Sequence, residues 1–213
     1  MKTKNTIQTA TSGAALVSAL FLGLAAAGGA LAADLQHELE GCAGCHGKDG
    51  VSTETDVPTI AGMSAEYLRI NIEAYKKKER PCPETKVRTG AKKDTKTDMC
   101  QVAKGLSEGE VKALAEHFAG KKFVRAQQQF DPALAAKGKD IHDANCEKCH
   151  SNNGSVAADD AGILAGQHMG YLEETFKEYT AGKRPMEKKM KPKIDKLDKA
   201  AIEALVNYYG SIK

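Results

Sequence analysis

Several residue types on which protein cores depend are scarce in this sequence. It contains no tryptophan, only five phenylalanines and six tyrosines among 213 residues. Small domains with so few large apolar side chains have a modest core, so we expect something other than side chains to complete it. A Gly-x-Gly-x-x-Gly flavin fingerprint is also absent, so flavin chemistry would have to reside on another polypeptide.

A strong excess of charge of either sign is missing as well. The formal net charge of +3 falls to +1 if Lys2 and Lys4 are removed with a leader. Such a balance does not predict nucleic-acid binding. Lysine clusters at 76–78 and 188–189 are typical of solvated helix ends, with a docking role as the alternative.

The only long apolar run lies at the beginning of the chain. Two lysines in the first four residues precede an uncharged apolar run over residues 14–27 and then Ala30-Leu31-Ala32. This order predicts a secretory signal peptide at residues 1–32, cleaved before Ala33, and a periplasmic mature protein. An uncleaved anchor is the alternative, although no basic stop-transfer cluster follows. No later segment is long and apolar enough to predict a transmembrane helix.

One five-residue pattern occurs twice. Cys42-Ala43-Gly44-Cys45-His46 returns 104 positions later as Cys146-Glu147-Lys148-Cys149-His150. Cys-x-x-Cys-His is the attachment signature of haem c, in which two thiols bind the porphyrin and the histidine ligates the iron. A dithiol redox pair or half of a zinc site are the alternatives, but neither requires the adjoining histidine. The sequence therefore predicts two covalently bound haem c groups, with His46 and His150 as axial ligands.

The repeat extends beyond these motifs. With the same shift, Tyr67-Leu68 aligns with Tyr171-Leu172 and Arg80-Pro81 with Arg184-Pro185, after which a shift of 91 aligns the rest. The difference is a 13-residue insertion in the first copy. A repeat of this length predicts two similar domains, at residues 33–124 and 125–213, joined by a polar link over 121–137.

Apolar periodicity predicts an all-α fold. In each copy a short helix leads into the motif, a second helix follows a loop, and a last helix closes the unit. Capping residues indicate where helices begin: Asp131 before Pro132, Ser64, Ser107 with Glu110 as a capping box, and Asp198. No segment shows the alternation of a strand.

Methionines are the candidates for the sixth iron ligand. Met99 and Met190 are equivalent under the shift of 91 and precede the last helix of each copy. A neutral thioether favours Fe(II) and raises the reduction potential. Met186 is the alternative in the second copy, whereas Met63 and Met169 have no methionine counterpart. Four histidines also lack a counterpart and are predicted to lie on the surface or beside the ligands: residues 37, 117, 142 and 168.

Two cysteines remain outside the motifs. Cys82 and Cys100 lie at the two ends of the insertion, and they are the only pair left for a disulfide. Free thiols or a metal site are the alternatives, since spacing alone does not decide between them.

The motifs, the Ala61-Gly62 and Ala165-Gly166-Gln167 turns and the late methionines resemble those of dihaem class I cytochromes c of the c4 type, across the whole mature sequence. The stretches 163–167 and 184–190 are most similar to the cytochrome subunit of flavocytochrome c sulfide dehydrogenase. The resemblance implies an all-α fold of two tandem class I cytochrome c domains, in which Pro58 orients His46 through its carbonyl. Gly162 stands at the equivalent position in the second copy.

The same resemblance implies a function. It indicates a periplasmic electron-transfer subunit without a catalytic site, which takes electrons from a separate flavoprotein (FAD) subunit and passes them to a soluble electron-acceptor protein. A free c4-type carrier that donates to a terminal oxidase is the alternative. A haem enzyme with one labile axial ligand is a third interpretation.

Overall fold

The computed structural model describes the backbone of residues 24–213 and the side chains of residues 35–213. The chain divides into the units Met1–Asp34 and Leu35–Lys213, and the side-chain contacts described below belong to the second unit. The signal-peptide prediction rests mainly on residues 1–23, which lie outside the described residues. Within the described part, none of the helices has the length and apolar character needed to cross a membrane.

The described residues are mostly helical, which confirms the predicted fold class. The helices are α1 (Leu24–His46), α2 (Ala65–Lys76), α3 (Met99–Lys104), α4 (Glu108–Ala119), α5 (Pro132–Asn145), α6 (Ser151–Gly154), α7 (Met169–Thr180), α8 (Lys191–Ile194) and α9 (Lys199–Ser211). Short 3-10 turns lie at Lys48–Gly50 and Ala157–Asp159. Two strands, β1 (Thr85–Lys86) and β2 (Lys96–Thr97), pair in antiparallel fashion.

Side-chain caps begin the helices where the sequence predicts them. The Ser64 hydroxyl accepts from the Tyr67 N–H at the start of α2. Ser107 and Glu110 form the predicted capping box of α4. Because these contacts satisfy N–H groups that a helix leaves unpaired at its first turn, sequence alone locates them.

The second half begins its helices by the same means. Asp131 accepts from the N–H groups of Ala133 and Leu134, and Asp198 accepts from that of Ala201. Since α5 begins at Pro132, the predicted link over 121–137 is too long and ends at residue 131.

Each half has its own apolar core. The first core consists of buried residues from α2, from α4, from the loop before α2 and from the turn between α3 and α4: Met63, Leu68, Leu106, Val111, Leu114, Ala115 and Phe118. The second core comes from α7, α8 and α9: Leu172, Phe176, Ile194, Leu205, Val206, Tyr208 and Tyr209. In the second half α5 crosses α9 at Gly138, where a Cβ atom would lie 2.1 Å from the Ala204 carbonyl oxygen.

The duplication is visible in the backbone hydrogen bonds. The Gly50 carbonyl accepts from Ile60 and Ala61 at 2.8 and 3.1 Å, and the Gly154 carbonyl accepts from Leu164 and Ala165 at the same distances. Residues 35–213 nevertheless form one compact unit, so the boundary between residues 124 and 125 stays a prediction from the repeat.

Buried hydrogen bonds join the two halves. The Gln167 side chain accepts from the Thr59 N–H and donates to the Thr59 carbonyl, both at 2.9 Å. His168 is also buried, and its Nε2 lies 3.0 Å from the Ser52 carbonyl oxygen. Of the two positions predicted for His168, on the surface or beside the ligands, the structure therefore excludes the surface.

Replacing Gln167 with alanine is expected to destabilise the protein. The change leaves the Thr59 N–H and carbonyl buried without their partners, at a cost of about 2–3 kcal/mol. Chemical denaturation of the holoprotein measures the loss. The exposed Gln127 provides the matched control, and a Gln167→Ala variant as stable as Gln127→Ala would contradict this account of the contact.

The inserted segment forms the small β-hairpin. Cys82 and Cys100 are joined by a disulfide with 5.8 Å between their Cα atoms, and Thr85 pairs with Thr97 just inside it. The strands were not predicted because two residues are too few to show alternation. The bridge brings the two ends of the insertion together, which favours a hairpin over an open loop.

Candidate functional site

The first motif lies at the end of α1. His46 Nδ1 lies 2.9 Å from the Pro58 carbonyl oxygen. Since a carbonyl can only accept, the ring donates from Nδ1 and keeps the lone pair on Nε2. Burial lowers the pKa of His46, although the bond to Pro58 opposes this. The result is a neutral, oriented imidazole, which is the form that ligates iron, and the predicted contact with Pro58 is confirmed.

An apolar cavity of about 440 Å³ opens beside this motif. Its wall includes Cys42, Cys45, His46 and Met99, which the sequence places up to 57 residues apart. Apolar side chains form much of the remaining wall: Leu68, Ile72, Val102, Leu106, Leu114 and Phe118. Burial, with a smaller contribution from Glu38, raises the pKa of the Cys42 thiol to about 12. Two thiols, an imidazole and a thioether around one apolar space fit a porphyrin.

The second motif differs in how its histidine is held. His150 Nδ1 is buried and has no hydrogen-bond partner among residues 35–213. Burial lowers the pKa of His150, so this ring is also neutral and has an unpaired nitrogen. A neutral imidazole can ligate a metal through Nε2, but within residues 35–213 no group holds Nδ1 as the Pro58 carbonyl does in the first half.

The candidate methionines occupy similar positions. Met99 is the first residue of α3, which leads into α4, and it lines the cavity. Met190 directly precedes α8, which leads into α9. Met186 and Met190 both pack against the second core. Contact with the second core therefore does not decide between Met186 and Met190 as the ligand of the second haem.

A buried histidine links the second motif to the core. His142 Nδ1 lies 2.9 Å from the Tyr209 hydroxyl and Nε2 lies 2.6 Å from Glu147, inside the motif. The hydrogen bond from His142 lowers the pKa of the Glu147 carboxyl. Sequence analysis missed this network. The only signal was that Tyr209 replaces Phe118 of the first copy while His142 has no counterpart.

Two buried arginines meet at the contact between the halves. Arg80 and Arg184 lie 3.8 and 3.5 Å from the carboxylate of Glu178. Each guanidinium also lies over a tyrosine ring, at 4.2 Å for Tyr75 and 4.8 Å for Tyr179. Sequence analysis used these arginines only to mark helix ends. Of these three charged groups, Arg80 and Glu178 line the cavity, so an arginine–carboxylate pair stands at its wall.

Two Cys-x-x-Cys-His motifs, one at the end of α1 and one directly after α5, each followed by a late methionine on a mostly helical framework, define a dihaem class I cytochrome c. Comparison with known proteins agrees. Residues 25–120 match the family described as cytochrome c, and residues 133–208 match that described as cytochrome C oxidase, cbb3-type, subunit III. Cytochrome c4 of Stutzerimonas stutzeri is 30% identical over 181 residues, which cover 78% of this chain and 82% of that protein.

The chain therefore belongs to the cytochrome c4 family of dihaem electron carriers, and it carries two covalently bound haem c groups. The crystal structure of reduced recombinant cytochrome c4 from Pseudomonas stutzeri has a TM-score of 0.68 at 27% identity and covers 85% of this chain and 98% of its own. The cytochrome subunit of sulfide dehydrogenase from Chlorobaculum tepidum is 35% identical over 77 residues, which cover 36% of this chain and 56% of that protein.

Proposed function

We propose that Cys42 and Cys45 hold the first haem, with His46 and Met99 as its axial ligands. In the same way, Cys146 and Cys149 hold the second haem, with His150 and Met190. The observation that carries the first assignment is the cavity whose wall brings Cys42, Cys45, His46 and Met99 together, and the second assignment follows from the repeat. The group supplies a one-electron Fe(III)/Fe(II) couple when bound.

The residues around each proposed haem favour electron transfer over catalysis. The Pro58 carbonyl fixes the orientation of His46, and the apolar wall of the cavity excludes water. Met99 and Met190 would each supply a sixth ligand to an iron, which would leave no open position for a substrate. A haem enzyme would require one labile ligand, and carbon monoxide binding by the reduced protein would favour that alternative.

We further propose that the mature protein is periplasmic and receives electrons from the flavoprotein subunit of a sulfide-oxidising dehydrogenase. The similarity to the sulfide dehydrogenase subunit of Chlorobaculum tepidum supports this donor. A second relative, the thiosulfate dehydrogenase electron acceptor of Stutzerimonas stutzeri, is 34% identical over 79 residues, which cover 37% of this chain and 31% of that protein, and its name also refers to sulfur oxidation. A soluble electron-acceptor protein then reoxidises the haems.

A free carrier is the second candidate function. It is favoured by the cytochrome c4 relatives, which align along most of both chains.

Purification from native periplasm distinguishes the two functions. A tagged chain that functions as a subunit is expected to retain a flavin-containing polypeptide through gel filtration, and added sulfide is expected to reduce its haems. A tagged chain that elutes alone and is not reduced by sulfide in periplasmic extract would contradict the subunit proposal and leave the free carrier.

A further inference from the structure

We propose that the hairpin of residues 82–100 covers the attachment loop of the first haem, so that protein partners exchange electrons at the attachment loop of the second haem. By attachment loop we mean the motif segment itself: the first is Cys42–His46, the last turns of α1, and the second is Cys146–His150, directly after α5. The lysines around the second loop select a partner with an acidic surface. This inference rests on the proposed function in that it requires a haem at each motif.

The hairpin lies directly on the first loop. The N–H groups of Arg88 and Thr89 both donate to the Gly44 carbonyl, at 2.8 and 2.9 Å. A Cβ atom on Gly44 would lie 3.0 Å from Cγ1 of Val87. Gly44 is accordingly buried, although it lies between the two attachment cysteines.

Several contacts hold the hairpin in this position. The Arg88 guanidinium lies 2.7 Å from Asp56 and 3.8 Å from Glu54, which belong to the loop that follows α1. The disulfide closes the base of the hairpin, next to Met99. Because hydrogen bonds, ion pairs and the disulfide all hold the hairpin against the first loop, we expect the hairpin to stay there in the folded protein.

The second loop has no such cover. The insertion is absent from the second copy, and Lys148 stands where the first loop has Gly44. Lys148 and Cys149 are both exposed, whereas Cys45 is only half-exposed. The two attachment loops therefore differ in access.

Positive charge borders the open loop. Lys193 is exposed on α8, and the next residue, Ile194, belongs to the core cluster against which Cys146 packs. Within residues 35–213, neither Lys148 nor Lys193 forms an ion pair. Unpaired surface charges of one sign raise the association rate with an oppositely charged partner and determine its orientation.

The hairpin carries lysines too, so charge alone does not choose between the faces. Lys92 is exposed at the hairpin tip. A partner that docked there would face an added layer of polypeptide between itself and the first haem, and electron transfer slows steeply with distance. A partner at Lys148 would meet the attachment loop directly.

The test uses the dihaem holoprotein and an acidic plant-type [2Fe–2S] ferredoxin as the probe. Calorimetry at low ionic strength gives its Kd, and stopped-flow reduction gives the second-order rate constant. Lys148→Glu is expected to weaken binding and to slow reduction at least tenfold, and Lys193→Glu, outside the motif, to act in the same direction. Lys92→Glu makes the same charge change on the hairpin and is expected to change either quantity less than twofold. An equal or larger effect of Lys92→Glu would overturn the inference.

A second variant tests the cover itself. Replacing residues 86–96 with two glycines in the Lys148→Glu background exposes the first loop and is expected to restore rapid reduction at least in part. Reduction that stays as slow as in Lys148→Glu would overturn the covering role. A pyridine haemochrome assay on the wild type and each variant counts the bound haems and so distinguishes failure of the proposed function from failure of this inference. Fewer than two haems in the wild type would contradict the proposed function. Two haems with no preference for the second loop would contradict only this inference.

Discussion

Replacing Met190 with histidine is expected to lower the reduction potential of the second haem by on the order of 0.1–0.3 V. A thioether is a neutral, soft ligand that favours Fe(II), whereas a second imidazole stabilises Fe(III), and axial ligands account for much of the potential range of haem proteins. Met190 is half-buried against the second core just before α8. Spectroelectrochemistry measures the change, together with loss of the methionine-to-iron charge-transfer band of one haem.

Met186→His is the matched control. Met186 packs against the same core four residues earlier in the chain, so it receives the same substitution in similar surroundings. We expect this variant to keep both charge-transfer bands and both potentials. If Met186→His lost a band while Met190→His did not, the ligand of the second haem would be Met186.

Substitution of Gly138 by valine is expected to destabilise the second half by roughly 3 kcal/mol or more. A Cβ atom at this position would lie 2.1 Å from the Ala204 carbonyl oxygen and 2.6 Å from Cβ of Tyr208. These atoms belong to the backbone and the stem of α9, so they cannot move aside unless α5 and α9 separate. The same separation would displace His142, which lies one helical turn further along α5 and contacts Tyr209 of α9.

Gly109→Ala provides the control for this substitution. Gly109 lies in the first turn of α4, and an added Cβ meets nothing closer than 4.0 Å. Because alanine restricts the unfolded chain and favours the helix, this variant is expected to gain about 0.5–1 kcal/mol. Guanidinium denaturation of the holoprotein compares the two, and similar stability of both variants would contradict the close approach of α5 and α9.

Local features of this protein were predictable from sequence because their causes are local. The two attachment motifs are continuous in the chain, and the caps at Ser107, Asp131 and Asp198 each contact residues two or three positions away. The repeat then identified Met99 and Met190 together, since equivalent positions in the two copies carry the same residue.

Features that depend on distant residues were missed. Gln167 was visible only as part of a turn, although its partner Thr59 lies 108 positions away. Arg80 and Arg184 indicated helix ends, yet their shared contact with Glu178 requires the two halves to meet. The position of the hairpin on Gly44 depends on the tertiary structure, because neither hydrophobic periodicity nor spacing relates residue 88 to residue 44.

Mass spectrometry of the mature protein, purified from cells that carry a haem c maturation system, tests the central claim most directly. The account predicts the mass of the polypeptide plus two haem groups, and peptides that contain Cys42 to His46 and Cys146 to His150 each with one haem. A mature chain with one haem or none would contradict a dihaem electron carrier.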